Sequence, residues 1–248
     1  MNKRKSGFTL IELSIVLVII GLIVGGVLVG RDLIHASEIR AQVSQFEKFD
    51  TAVKTFRLKY NGLPGDITQE QVTGFGFPNQ GGNYGNGDNL LKDNTGAMPP
   101  VGLWIEPYFF FIHLSEASLI EGKYYMVANH YVRGEQFPIA KVGTSGIFAY
   151  TLGNGRLAYF LGMDTNSTSG PNDIATFSVA GVINPYDAYT LDLKMDDGIP
   201  NSGRVRSATI TALLPAYDIS DGACSTASTS SYNITSSAIA CRLIVAAQ

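Results

Sequence analysis

The hydrophobic pattern of the chain changes at residue 30. Residues 8–30 form a predominantly apolar run of 23 residues, in which Glu12 is the one ionisable side chain. As a helix this run extends about 34 Å at roughly 1.5 Å per residue, enough to cross a bilayer core of about 30 Å. We therefore predict a membrane-spanning helix over residues 8–30.

Beyond residue 30 the apolar residues recur at helical spacing, and no Gly or Pro interrupts residues 31–60. This spacing predicts that the same helix continues out of the membrane segment and packs one apolar stripe on a sheet. Asn61, Gly62 and Pro64 are stop signals that end the helix. The stripe consists of Leu33, Ile39, Val43, Phe46, Phe49, Val53 and Phe56.

The rest of the chain predicts shorter elements. Residues 67–107 are rich in Gly and Asn and are expected to form a long loop. Helices are predicted over 109–122 and over 184–195, the second opened by the N-cap signal of Asn184 and Pro185. Strands over 146–152 and 156–163 flank the turn signal Gly153-Asn154-Gly155 and predict a hairpin. Final strands are predicted over 205–213 and 241–246.

The charges near the N-terminus set the orientation and raise a question about Glu12. Lys3, Arg4 and Lys5 make the leader basic, so it is expected to stay in the cytoplasm while the chain after residue 30 lies across the membrane. An acid in a membrane helix costs about 3 kcal/mol, and residues 8–30 contain no Lys or Arg to neutralise it. Either Glu12 lies near a helix end and reaches the headgroups, or a cation of another molecule pairs with it.

The string from Ser6 to Leu13, SGFTLIEL, resembles the processing site of type IV prepilins and of the pseudopilins of type II secretion. The resemblance implies that a membrane peptidase cuts after Gly7 and methylates the new N-terminal Phe8. It also implies that Glu12 pairs with the Phe8 ammonium of a neighbouring subunit during assembly. The implied fold class is α+β and pilin-like, with a long N-terminal helix, half in the membrane and half in the head, packed on a C-terminal antiparallel β-sheet.

The resemblance divides the chain into four segments: a cleaved leader over 1–7, a transmembrane and assembly helix over 8–30, the amphipathic half of that helix over 31–62, and a globular head over 63–248. Before assembly the protein would be single-pass in the inner membrane with its head in the periplasm, and afterwards part of a cell-surface or periplasmic filament. Its implied partners are the prepilin peptidase/methyltransferase, other pilin or pseudopilin subunits, an inner-membrane assembly platform and the membrane.

The formal net charge of −3 becomes more acidic when the leader cations are removed, so nucleic acid is not expected as the main partner. Cys224 and Cys241 are the two cysteines. An even count in a segment placed outside the cytoplasm predicts a disulfide, and two buried free thiols are the alternative. In the resembling family, a C-terminal cysteine pair commonly fixes a surface loop to the sheet.

Candidate chemistry in the head is limited. Three acidic residues, Asp192, Asp196 and Asp197, lie close together in the sequence. Because major pseudopilins as a family have a calcium site in their C-terminal region, the resemblance makes Asp196 and Asp197 candidate calcium ligands. A solvated acidic turn is the alternative, and no other cofactor is expected.

The histidines show no ligand or catalytic-triad spacing, and the chain has no phosphate-binding loop or nucleophile elbow. His35 is expected to face solvent or headgroups, His113 is expected to be structural, and His130 has no assigned role. We expect a structural subunit of a type IV pilus or type II secretion pseudopilus and no enzyme. The alternative is a minor pilin that acts as a binding, adhesion or DNA-uptake module at the filament tip.

Overall fold

The computed structural model describes residues 9–78, 84–92, 106–125, 131–132, 134–143, 145–163, 166–167, 181–207, 209–211, 214–216, 224–225 and 231–248. The helices are α1 (Leu10–Tyr60), α2 (Gln69–Gly74), α3 (Glu106–Glu116) and α4 (Pro185–Met195). The strands are β1 (Tyr131–Val132), β2 (Gly146–Thr151), β3 (Leu157–Met163), β4 (Asn166–Ser167), β5 (Val205–Ser207), β6 (Thr209–Thr211), β7 (Leu214–Ala216) and β8 (Leu243–Ala246).

The long helix α1 is continuous through 51 residues, and its burial changes along its length. Residues 10–29 are exposed, whereas the predicted stripe is buried from Ile39 onwards at Phe46, Phe49, Val53 and Phe56, with Val43 partly buried. Leu33 was wrongly assigned to that stripe, since it is 68% exposed. It lies three residues after Gly30, the first partly buried residue of α1, and before the head begins to cover the helix.

The main sheet is antiparallel, with four strands in the order β2-β3-β8-β5. The predicted hairpin is confirmed, because β2 pairs with β3 across the turn at Gly153-Asn154-Gly155. On the helix side, the ring of Phe46 stacks 5.8 Å from that of Tyr159 on β3. A long N-terminal helix packed on a C-terminal antiparallel sheet is the α+β fold class that the sequence predicts.

Two predictions about the middle of the chain need correction. The loop expected over 67–107 contains α2, which begins with a capping box formed by Thr68 and Gln71. The helix expected over 109–122 begins at Glu106 and ends at Glu116. It ends early because Ser118 takes a left-handed φ of 56° and the Leu119 N–H donates to the Leu114 carbonyl, which closes the helix before Gly122.

The C-terminal part of the chain agrees with the prediction at α4 and departs from it after β5. The side-chain oxygen of Asn184 accepts from the Asp187 N–H at 2.9 Å, as expected of an N-cap. The single strand predicted over 205–213 is divided, because β5 joins the main sheet while β6 pairs with β7 in a separate ribbon.

Candidate functional site

Helix α1 begins in a capping box formed by Thr9 and Glu12. The Thr9 N–H and the Thr9 hydroxyl both donate to Glu12 Oε2 at 2.8 Å, and the Glu12 N–H donates to Thr9 Oγ1 at 3.3 Å. From the sequence, Glu12 was expected to reach the headgroups or to pair with a cation of another molecule, and this partner within its own chain was not predicted. The spacing Thr-x-x-Glu is the signal that identifies it. Gly7 and Phe8 lie outside the described residues.

The first part of α1 has the properties of a membrane segment. Among the described residues, α1 is the one helix long and apolar enough to cross a bilayer, judged by length and composition alone. Gly21, Gly25, Gly26 and Gly30 each leave open space where a Cβ atom would be added. This exposed part therefore has room for close approach of another helix.

His35 connects the exposed part of α1 to the head. Its Nε2 lies 2.8 Å from Asp187 Oδ1, and the His35 side chain is 41% exposed. The Asn184 amide donates to the other oxygen of Asp187 at 2.9 Å. Burial raises the pKa of Asp187, while His35 and the Asn184 bond oppose that rise and Glu38 adds to it. Sequence reasoning placed His35 against solvent or headgroups and did not anticipate this contact with α4.

The second histidine, His113, lies in the core of the head. His113 is fully buried, and its Nδ1 accepts the Gly65 N–H at 2.8 Å. Its ring stacks on Phe56 and Phe77 with centroids 6.2 and 5.7 Å away. These contacts give His113 the structural role that was predicted, whereas His130 lies outside the described residues.

An ion pair inside the head joins α1 to the sheet. Asp50 Oδ2 lies 2.6 Å from Arg204 Nη2, and the Tyr159 hydroxyl donates to Asp50 Oδ1 at 3.1 Å. Arg204 Nε also donates to the Ala246 carbonyl at 2.6 Å. Burial raises the pKa of Asp50, and the charge of Arg204 opposes that rise. These contacts fix the helix to β3 and β8 at a position that no local sequence signal marks.

The predicted acidic cluster is present at the C-terminal end of α4. One carboxylate oxygen from each of Asp192, Asp196 and Asp197 lies within 4.8 Å of the others, so the set can hold a metal ion. Backbone N–H groups already bond to these acids: Gly198 donates to Asp192 at 3.2 Å, Val205 donates to Asp196 at 3.2 Å, and Ile199 donates to Asp197 at 2.9 Å. Calcium at Asp196 and Asp197 therefore stays a prediction.

Asp192 is the buried member of that cluster. The Tyr232 hydroxyl donates to Asp192 Oδ2 at 2.8 Å. The pKa of Asp192 is raised to about 7, mainly by burial and also by the charges of Asp197 and Asp196, against the lowering effect of the two hydrogen bonds. Tyr232 belongs to the loop between Cys224 and Cys241, which form a disulfide. This loop therefore contacts the acidic cluster through Tyr232.

A second acidic cluster was not predicted. Asp66, Asp88 and Glu106 bring carboxylate oxygens within 4.8 Å of one another, and Asp66 and Glu106 are each 1% exposed. Burial raises the pKa of Glu106 to about 7, and Asp66 and Asp88 contribute through their charge. The Glu106 carboxylate accepts the Asn86 and Lys92 N–H groups at 3.2 and 2.9 Å. The cluster therefore holds residues 84–92 against the head.

The comparisons with known proteins point to the N-terminus. A family model described as the prokaryotic N-terminal methylation motif matches residues 2–28. No curated protein and no solved structure matches the chain. The chain thus carries a prepilin-type cleavage and methylation signal over its leader and most of its apolar segment, and this signal indicates the precursor of a structural subunit.

Proposed function

We propose that this chain is the precursor of a subunit of a type IV pilus or a type II secretion pseudopilus. A membrane peptidase cuts between Gly7 and Phe8, the new amine of Phe8 is methylated, and the mature chain assembles through α1. The observation that carries the proposal is the match of the methylation motif to residues 2–28, which ends inside the exposed apolar part of a helix continuous with the head.

Assembly uses the carboxylate of Glu12. Cleavage leaves an ammonium at Phe8, and the Phe8 ammonium of a neighbouring subunit pairs with Glu12 in a low-dielectric environment where an unpaired acid is costly. Both bonds from Thr9 go to Oε2, so the capping box leaves Oε1 for the neighbour. The pairing sets the register of adjacent helices, and the apolar side chains of residues 10–34 supply the packing.

The position of the protein follows from the same helix. Before assembly, residues 8–30 span the inner membrane, with the leader in the cytoplasm and the head in the periplasm. After cleavage, the assembly platform moves the subunit out of the bilayer into a filament. Neighbouring copies, or other pilin subunits, then replace lipid around the exposed part of α1.

The experiment compares four forms of the full chain in a host that has the prepilin peptidase. Wild type is expected to lose its leader and enter filaments, whereas Gly7→Val is expected to remain an uncut membrane precursor. Glu12→Ala is expected to be cut but to enter filaments poorly. The control is Glu47→Ala, because Glu47 is an exposed acid of the same helix within the head. Normal incorporation of Glu12→Ala beside wild-type subunits would contradict the pairing argument.

The second candidate function is that of a minor subunit whose head binds another molecule. It is favoured by an open groove of about 1020 Å³ beside α1, with Ala41, Ser44 and Thr51 on one side and Tyr124 and Ile139 on the other. The abundance of the chain in purified filaments separates the two roles. An amount comparable to the principal subunit supports the structural role, and trace amounts at filament tips support the second.

A further inference from the structure

We propose that Thr9 is a positioning residue for leader cleavage, because it ends α1 before the peptide bond that joins Gly7 and Phe8. This inference rests on the proposed function and adds a role for the residue second in the mature chain. Two independent observations support it: the capping box at the start of α1 and the match of the methylation motif to residues 2–28.

The geometry at Thr9 fixes where the helix starts. Thr9 has an extended backbone, with φ of −80° and ψ of 153°, and α1 begins at Leu10. The Thr9 hydroxyl accepts the Glu12 N–H at 3.3 Å, and Glu12 Oε2 accepts the Thr9 N–H at 2.8 Å. Each of these bonds satisfies a backbone donor at the helix start, which favours this start over others.

The sequence offers a competing start three residues earlier. Ser6 is also a favoured N-cap residue. A helix capped by Ser6 would contain Gly7 and Phe8, and the Gly7 carbonyl would accept the Ile11 N–H within the helix. The N-cap hydroxyl of Thr9, which accepts the N–H of residue 12 whatever its side chain, therefore decides whether the bond to be cut lies before the helix or within its first turn.

Cleavage requires that the peptide bond between Gly7 and Phe8 lie before the first turn of the helix. Water adds to the carbonyl carbon of Gly7, the bond to the Phe8 nitrogen breaks, and that nitrogen takes up both protons of the water, which leaves a carboxylate on Gly7 and an ammonium on Phe8. The peptidase must stabilise the developing oxyanion with its own hydrogen-bond donors. A carbonyl that is already bonded inside a helix is poorly placed for this.

The test measures leader release from the full-length precursor in detergent micelles by a membrane prepilin peptidase, with mass spectrometry as the readout. Thr9→Val keeps the shape of the side chain and removes the cap, and we expect kcat/KM to fall by up to about fivefold. This corresponds to about 1 kcal/mol at 1.36 kcal/mol per tenfold, the usual cost of a lost N-cap. Thr9→Ser retains the cap and is expected to stay within about twofold of wild type.

A second background separates helix position from direct contact with the enzyme. In a Ser6→Ala precursor the competing cap is absent, so adding Thr9→Val is expected to change kcat/KM less than about twofold. Backbone chemical shifts of Phe8 should become helical in Thr9→Val alone and not in the double variant. A role of Thr9 in the binding pocket of the enzyme would not respond to Ser6→Ala.

Three results have distinct meanings. Cleavage of Thr9→Val at the wild-type rate would overturn the inference, and so would a loss of kcat/KM that persists at the same size in the Ser6→Ala background. A wild-type precursor that keeps its leader would refute the proposed function as well, so the failures of the two proposals can be told apart.

Discussion

The ion pair between Asp50 and Arg204 gives the sharpest prediction about the stability of the head. Asp50→Asn removes the charge and nearly preserves side-chain volume, but it leaves the guanidinium of Arg204 with its partner lost in a site where that side chain is only 13% exposed. Breaking a buried pair by removing one partner typically costs about 3–5 kcal/mol. We expect about 3 kcal/mol here, because Arg204 retains its bond to the Ala246 carbonyl.

The assays are denaturant and thermal unfolding of the full chain in detergent micelles, both monitored by a tertiary-structure signal of the head. A loss of about 3 kcal/mol lowers the melting temperature by roughly 6–12 °C for a domain of this size. Asp50→Asn combined with Arg204→Met should lose less than the single change, because no buried charge is left unpaired.

An exposed pair between α1 and the loop after α3 provides the matched control. Lys48 Nζ lies 3.6 Å from Glu121 Oε1, with the two side chains 66% and 95% exposed. Exposed pairs contribute little, so Lys48→Gln should change stability by less than about 1 kcal/mol. A loss below about 1 kcal/mol for Asp50→Asn would refute the reasoning, since it would place the pair in the same class as this exposed one.

Three further predictions concern the clusters in the head. Burial and the neighbouring acids raise the pKa of Glu106 from 4.5 to about 7, so its contribution to stability is complete below pH 4.5 and is lost as pH rises through 7, by about 3 kcal/mol. Unfolding measured from pH 5 to 8 should show this decline, and Glu106→Gln should make it smaller by this amount, leaving the decline that Asp192 contributes over the same range. Reducing the disulfide between Cys224 and Cys241 should lower the free energy of unfolding by about 3 kcal/mol, which appears as a lower melting temperature. An unchanged melting temperature would contradict the stabilising role of this disulfide. If calcium binds at the turn after α4, a chelator should lower the melting temperature and Asp197→Ala should abolish that response, whereas an equal response in both would exclude this site.

The elements that sequence reasoning predicted depend on local patterns. Helix α1 and the β2–β3 hairpin are determined by apolar spacing and by turn residues that are contiguous in the chain. The start of α4 was predicted for the same reason, because Asn184 bonds to Asp187 only three residues away. The short helix α2 was missed although Thr68 and Gln71 carry a capping-box signal, since six residues offer little periodicity.

The contacts that sequence reasoning did not predict join distant segments. Asp50 and Arg204 are 154 positions apart, and Asp66 meets Asn89 across 23 positions. No spacing rule applies to such pairs, because tertiary packing alone brings them together. Glu12 is the opposite case, since its bond to Thr9 spans three positions and follows from a known local motif.

The central claim is that the mature protein begins with a methylated Phe8, which supplies the cation that Glu12 needs. The most direct test is the intact mass and N-terminal sequence of the protein extracted from the envelope of its native host. The account predicts a chain that starts at Phe8 and carries one added methyl group. A chain that still starts at Met1 would contradict it.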